Sequence, residues 1–205
     1  MKVKIKICGI RSLESAQAAI RAGADFIGFN FVKQSPRYVH PRYAKEIQKR
    51  VHGKLKTVGV FQNEKIDLIN AIVDLLGLDY VQLHGQESKS FAEKIQAKII
   101  KVCILSTKSN SEKIANEIKN YKPDLALLDL KKGAKQSAFD IKQSNFIAKQ
   151  FPVFIAGGLN PDNVEKMVVT IKPYGVDAAR GIETYGHEDI GKIYQFISAA
   201  KQINI

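Results

Sequence analysis

Cysteine is scarce in this chain: Cys8 and Cys103 are the only two in 205 residues, too few for a disulfide framework. They form no C-x-x-C pair and no cysteine–histidine spacing of the kind that holds zinc, so neither a metal nor an organic cofactor is expected. Reduced thiols point to a cytoplasmic protein. Long apolar runs are missing too, since none reaches the roughly 18 residues that a membrane span needs. The start, MKVKIKICGI, alternates lysine with apolar residues, which is the pattern of a strand and not of an export signal. Neither GxGxxG nor GxxxxGK(S/T) occurs, which removes the usual phosphate device of nucleotide-binding sheets. Acidic residues are in deficit, 20 against 32 lysines and arginines, giving a formal net charge of +12. The lysines are spread along the whole chain, without a basic tail, an arginine block or a basic–aromatic repeat. The charge therefore reads as solubility and steering of anions, with no nucleic-acid or membrane partner.

What the chain does contain is a regular alternation. Short β-branched runs at 3–8, 25–31, 55–61, 80–84, 99–105, 124–130, 152–156 and 175–178 are separated by helical patterns. Strands alternating with helices imply parallel pairing through right-handed crossovers. Eight such units close most naturally into a (β/α)₈ barrel, here a single domain over residues 1–205, near the lower size limit for that architecture. Ser12 can cap the first helix, with Leu13, Ala16 and Ile20 on its inner face and Gly23 just past its end. Ile66, Ile69, Val73 and Leu76 stripe a third helix, and Ile190, Ile193, Ile197 and Ala200 the last. An open doubly wound sheet would favour a glycine-rich turn after the first strand, and that turn here is Cys8-Gly9-Ile10-Arg11-Ser12.

In such barrels the chemistry sits at the C-terminal ends of the strands. That rule picks out Cys8 after strand one, Ser35-Pro36-Arg37 after strand two, His84 after strand four and Asp129 after strand six. It also picks out Gly157-Gly158 after strand seven and the stretch from Asp177 through Arg180 to Gly181 after strand eight. The last two turns are the usual phosphate site of the fold. Gly157 and Gly158 let backbone approach an anion, and Asn160 with Pro161 predicts a helix N-terminus directly behind them. Cys8 shares a strand face with Lys6 and Lys4, and a nearby ammonium favours the thiolate. Asp129 ends the apolar run LALLD, where desolvation would favour its protonated form. One group takes a proton while the other gives one, as an isomerisation needs. Cys103, in KIIKVCIL, reads as strand filling.

These segments together resemble the phosphoribosylanthranilate isomerase family, and the match runs the length of the chain. KICGI at 6–10, FVKQSPRYV at 31–39, VGVFQN at 58–63, VQLHGQE at 81–87, LLD at 127–129 and AGGLNPDNV at 156–164 follow in the family's order. The resemblance implies an Amadori rearrangement in tryptophan biosynthesis, turning an N-linked aminoaldose phosphate into an aminoketose phosphate. By motif position Cys8 would be the general base at sugar C2 and Asp129 the general acid at the ring oxygen. Arg37 would hold the anthranilate carboxylate, a role suited to a planar guanidinium. Gly157 and Gly158 would help hold the phosphate, with His84, Arg180 and Gly181 completing the substrate site.

Two segments depart from the family's pattern. Where a glycine-rich stretch usually precedes a Phe-Asp pair, this chain has Lys132-Gly133-Ala134-Lys135-Gln136-Ser137-Ala138 before Phe139-Asp140. Where the family has two serines after strand eight, it has Ala179 and Arg180. Arg180 is expected to offset the lost hydroxyls with a charge-assisted contact to phosphate. The altered loops leave room for another phosphosugar-processing barrel enzyme, which the SPR triplet argues against. A non-catalytic, anion-binding barrel is opposed by the presence of both proton-transfer residues.

Overall fold

A computed structural model describes residues 2–106, 109–130 and 138–201. Eight strands close in chain order into one parallel barrel: β1 (Lys4–Cys8), β2 (Phe26–Asn30), β3 (Lys56–Phe61), β4 (Tyr80–Leu83), β5 (Lys98–Leu105), β6 (Leu125–Leu130), β7 (Val153–Ala156) and β8 (Gly175–Ala178). The barrel shuts where β8 pairs with β1, setting Lys6 opposite Asp177. Around it run α1 (Leu13–Ala22), α2 (Pro41–Val51), α3 (Ile66–Leu76), the single-turn α4 (Lys89–Ala92), α5 (Ser111–Tyr121), α6 (Ala138–Ala148), α7 (Val164–Ile171) and α8 (Ile190–Lys201). None of the described helices is long and apolar enough to cross a membrane.

Alternation along the strands sorts the core into two parts. Inside the barrel, Phe26, Val58, Ile100, Val102, Leu125, Leu127, Phe154 and Ala156 pack together. Phe26 meets Phe154 edge-on at 5.2 Å and Tyr80 at 5.6 Å, so aromatic rings plug the interior below the chemistry. Gly175 makes room for them, because a Cβ there would lie 2.3 Å from the Phe154 ring. The outward residues, such as Ile5, Ile7, Val81 and Ile155, pack beneath the helices. Cys103 is on that outer face and only partly buried, where burial pushes its thiol up to about 11.

Helix starts follow local hydrogen bonding. Ser12 caps α1 by accepting the Ser15 N–H at 3.1 Å, and Gly23 ends it at φ +86°. The buried face of α1 is Ser15, Ala16, Ala18 and Ala19, while Leu13, expected there, is exposed. The last helix does bury Ile193, Ile197 and Ala200, with Phe196 added. The helix expected at Pro161 begins only at Val164. The Asn160 side chain accepts the N–H groups of Asp162 and Asn163, which fixes a separate turn ahead of α7.

Between β8 and α8 lies an element with no sequence expectation. A 3₁₀ turn (Arg180–Ile182) leads into a small antiparallel hairpin, β9 (Glu183–Thr184) and β10 (His187–Glu188). Tyr185 and Gly186 form its tip, both with positive φ, as a tight two-residue hairpin turn requires.

Candidate active site

The C-terminal rim gathers the end residues of five strands. Cys8 is at the end of β1, Asn30 of β2, Ile104 near the end of β5, and Asp129 toward the end of β6; His84 follows β4. The β2 loop adds Arg37, and the turns after β7 and β8 add Gly157, Gly158, Arg180 and Gly181. The residues picked out by the strand-end rule thus share one face of the barrel.

Cys8 is buried, with Sγ only 2.8 Å from where a Cβ on Gly28 would stand, so Gly28 leaves space for the thiol. Below it Lys6 is fully buried and donates to Asp177 Oδ1 at 3.0 Å. Burial works against the Lys6 charge, but Asp177 and then Cys8 outweigh it, and the ammonium keeps its proton above the ordinary lysine range. The expected easy thiolate is not found. Burial pushes the Cys8 thiol up, further helped by Asp177, and the opposing pull of Lys6 and Arg37 does not overcome it. A lysine already paired with a carboxylate has less field to spend on a neighbour.

Asp129 faces a partner that the apolar run did not reveal. His84 Nε2 is 3.4 Å from Asp129 Oδ2, and both side chains are partly exposed. The hydrogen bond to Asp129 holds the His84 imidazolium above its usual range, against the effect of burial. Behind His84, Glu87 accepts from the Asn63 N–H at 2.7 Å, the Gly85 N–H at 3.0 Å and Lys101 Nζ at 3.1 Å. The VGVFQN and HGQE segments thereby become one clamp that fixes the His84 loop.

Arg37 is presented by a small polar lattice. Asn30 donates to Ser35 Oγ at 3.1 Å, and the same oxygen accepts the Arg37 N–H at 3.1 Å. The Arg37 stem lies across Gly9, where a Cβ would come within 2.6 Å of its Cδ. Its Nη2 donates to Glu183 Oε2 at 2.6 Å, while its buried Nε finds no acceptor among the described residues. Arg11 completes the brace by donating to Pro36 O, Gly186 O and Glu188 Oε2. Sequence reasoning missed Glu183, Glu188 and Asn30. Of these only Asn30 was within reach, since it follows Phe26 and Gly28 at period two on the inner face of β2.

At the two glycine turns, Gly157 and Gly158 have φ of +94° and +76°, and open space surrounds the Cβ position of Gly158. Gly181 has a packing reason for being glycine: a Cβ there would overlap the Leu159 carbonyl oxygen, at 1.8 Å. Arg180 is exposed and makes no side-chain hydrogen bond or ion pair among the described residues. The departure at 132–137 lies outside the described residues. A cavity of about 720 Å³ opens elsewhere, outside the barrel between β5, α4 and α5, and neither Cys8 nor Asp129 lines it.

Known proteins resemble this chain over nearly its whole length. A family model described as N-(5′phosphoribosyl)anthranilate (PRA) isomerase matches residues 5–199. The N-(5′-phosphoribosyl)anthranilate isomerase of Citrifermentans bemidjiense is 37% identical over 205 residues, covering 98% of both chains. The crystal structure of phosphoribosyl anthranilate isomerase from Thermotoga maritima aligns with a TM-score of 0.88 at 32% identity, over 98% of this chain and 100% of that one. A crystal structure of a phosphoribosyl anthranilate isomerase in complex with reduced 1-(o-carboxyphenylamino)-1-deoxyribulose 5-phosphate aligns at 0.87, again with 32% identity, 98% of this chain and 100% of that one.

Proposed function

The chain belongs to the N-(5′-phosphoribosyl)anthranilate isomerase family, and we propose that it performs that isomerisation with Cys8 as general base and Asp129 as general acid. It is an intramolecular isomerase of tryptophan biosynthesis. Asp129 gives a proton to the ring oxygen, the C1–O bond breaks with its electron pair going to that oxygen, and the nitrogen lone pair forms the C1=N bond of an iminium. Cys8 then removes the proton from sugar C2, and the resulting enamine tautomerises to the aminoketose. Arg37 holds the anthranilate carboxylate, and His84 lies beside the opening ring. Gly157, Gly158, Gly181 and Arg180 hold the phosphate. The protein works in the cytoplasm on a small phosphorylated substrate, without nucleic acid.

The observation that carries this reading is a rim holding a buried thiol, a carboxylate with its own histidine and an arginine whose Nε has no acceptor among the described residues. Buried donors without acceptors are rare, and a bound carboxylate supplies the missing acceptor. The departure at Ala179 and Arg180 favours a second reading, in which the same acid–base pair serves a related aminosugar phosphate. Adding N-(5′-phosphoribosyl)anthranilate and following the loss of its fluorescence separates the two. Rapid decay is expected, and an inert mixture would leave the related substrate or a non-catalytic barrel. In the same assay Arg180→Ser should raise KM more than it lowers kcat.

A further inference from the structure

Beneath the rim the barrel encloses a charge pair that the proposed reaction does not use. Lys6 and Asp177 face one another across the β1–β8 seam, with Nζ and Oδ1 3.0 Å apart and both side chains buried. A buried ion pair adds little stability over apolar packing of the same volume, so its presence directly under a reactive thiol calls for another explanation. Cys8 is two residues beyond Lys6 on the same strand face, so its thiol lies in the field of that ammonium.

We propose that Asp177 is a positioning residue that, by holding the Lys6 ammonium, limits how far that ammonium can draw the proton from the Cys8 thiol. The proposal rests on Cys8 being the base. A thiol next to an unopposed ammonium would ionise easily but would be a weak base, because proton affinity falls together with pKa. A thiol with no cation nearby would hardly ionise in so buried a place. The pair sets a value between these limits. The charged groups around Cys8 are Lys6 from β1, Asp177 from β8 and Arg37 from the β2 loop. Asp177 in turn faces Lys6, Asp129 from β6 and His84 from β4.

The two partners therefore act on the thiol with opposite sign. The test is the rate at which iodoacetamide alkylates Cys8 at pH 8, read by peptide mass spectrometry so that Cys103 is counted separately. Below its pKa a thiol loses about tenfold in thiolate for each unit of upward shift. Lys6→Gln is expected to slow alkylation of Cys8 by about tenfold, and Asp177→Asn to speed it by at least about threefold. The Lys6→Gln/Asp177→Asn double variant leaves no unpaired buried charge and should react faster than Lys6→Gln alone. That comparison carries the sign if Asp177→Asn does not fold. Single variants that shift the rate in the same direction, or a double variant no faster than Lys6→Gln, would overturn the proposal. Alkylation reads the thiol without turnover. If Cys8→Ala kept full kcat, the base assignment would fail while the effect of the pair on the thiol would stand.

Discussion

Cys8 and the His84–Asp129 pair hold protons whose positions set how activity responds to pH. Burial raises the Cys8 thiol and the hydrogen bond to Asp129 raises the His84 imidazolium, and an ordinary thiol titrates above an ordinary imidazole. With the base titrating above the acid, kcat/KM should climb as pH rises toward the pair's value. It should then stay level and fall only above the thiol's value, which burial raises. His84→Asn should move the lower limb to more acidic pH and leave the upper one in place. A lower limb that stays where it was would remove His84 from the proton inventory. Arg37→Lys keeps the charge but loses the planar fork and the Nε donor, so it should raise KM by about tenfold or more. An unchanged KM would mean that Arg37 serves only Glu183. Cys8 and Asp129 could be picked out in the sequence because strand ends are functional in this fold. The proton affinity of Cys8 could not, since it depends on Asp177, which is close in space and distant in the chain.

The hairpin β9–β10 is where an element matters more than any single residue. It sets Glu183 against Arg37 and Glu188 against Arg11, and so ties the β8 loop to the β1 and β2 loops across the rim. Glu183→Gln removes the charge and keeps the shape. It should raise KM severalfold with little effect on thermal stability, whereas a loss of both would make the hairpin a folding element. The hairpin was illegible because its turn is Tyr185-Gly186, without the Asn-Gly or Asp-Gly that marks such turns. The late start of α7 was hidden similarly: Pro161 suits a first helical position, but Asn160 and Asn163 take the local N–H groups first. Strands fared better, because a two-residue period needs only neighbours to be read. Gly175 shows what one element asks of another. Gly175→Ala drives a methyl into Phe154 and should cost about 1–3 kcal/mol, lowering Tm by roughly 2–4 °C per kcal/mol. A melting temperature equal to that of the parent would mean the aromatic plug is loosely packed.

At the scale of the whole molecule, closure turns a linear list into a site. Cys8 and Asp129 are 121 positions apart in the numbering, yet a barrel closed in chain order must bring the ends of β1 and β6 to one rim. That much was legible from eight alternating strand and helix patterns. The two kinds of core also follow from closure, with aromatic rings sealing the interior below and charged and polar groups above. A proton removed at sugar C2 by Cys8 remains the centre of the functional reading, and substrate deuterated at C2 addresses it directly. The measurement is release of that deuterium to solvent by the parent protein and by Cys8→Ala, both checked for an intact fold. The parent should release deuterium in step with product, and Cys8→Ala should do so about 10²–10⁴-fold more slowly. Release by Cys8→Ala at the parent's rate would contradict the assignment of Cys8 as the base.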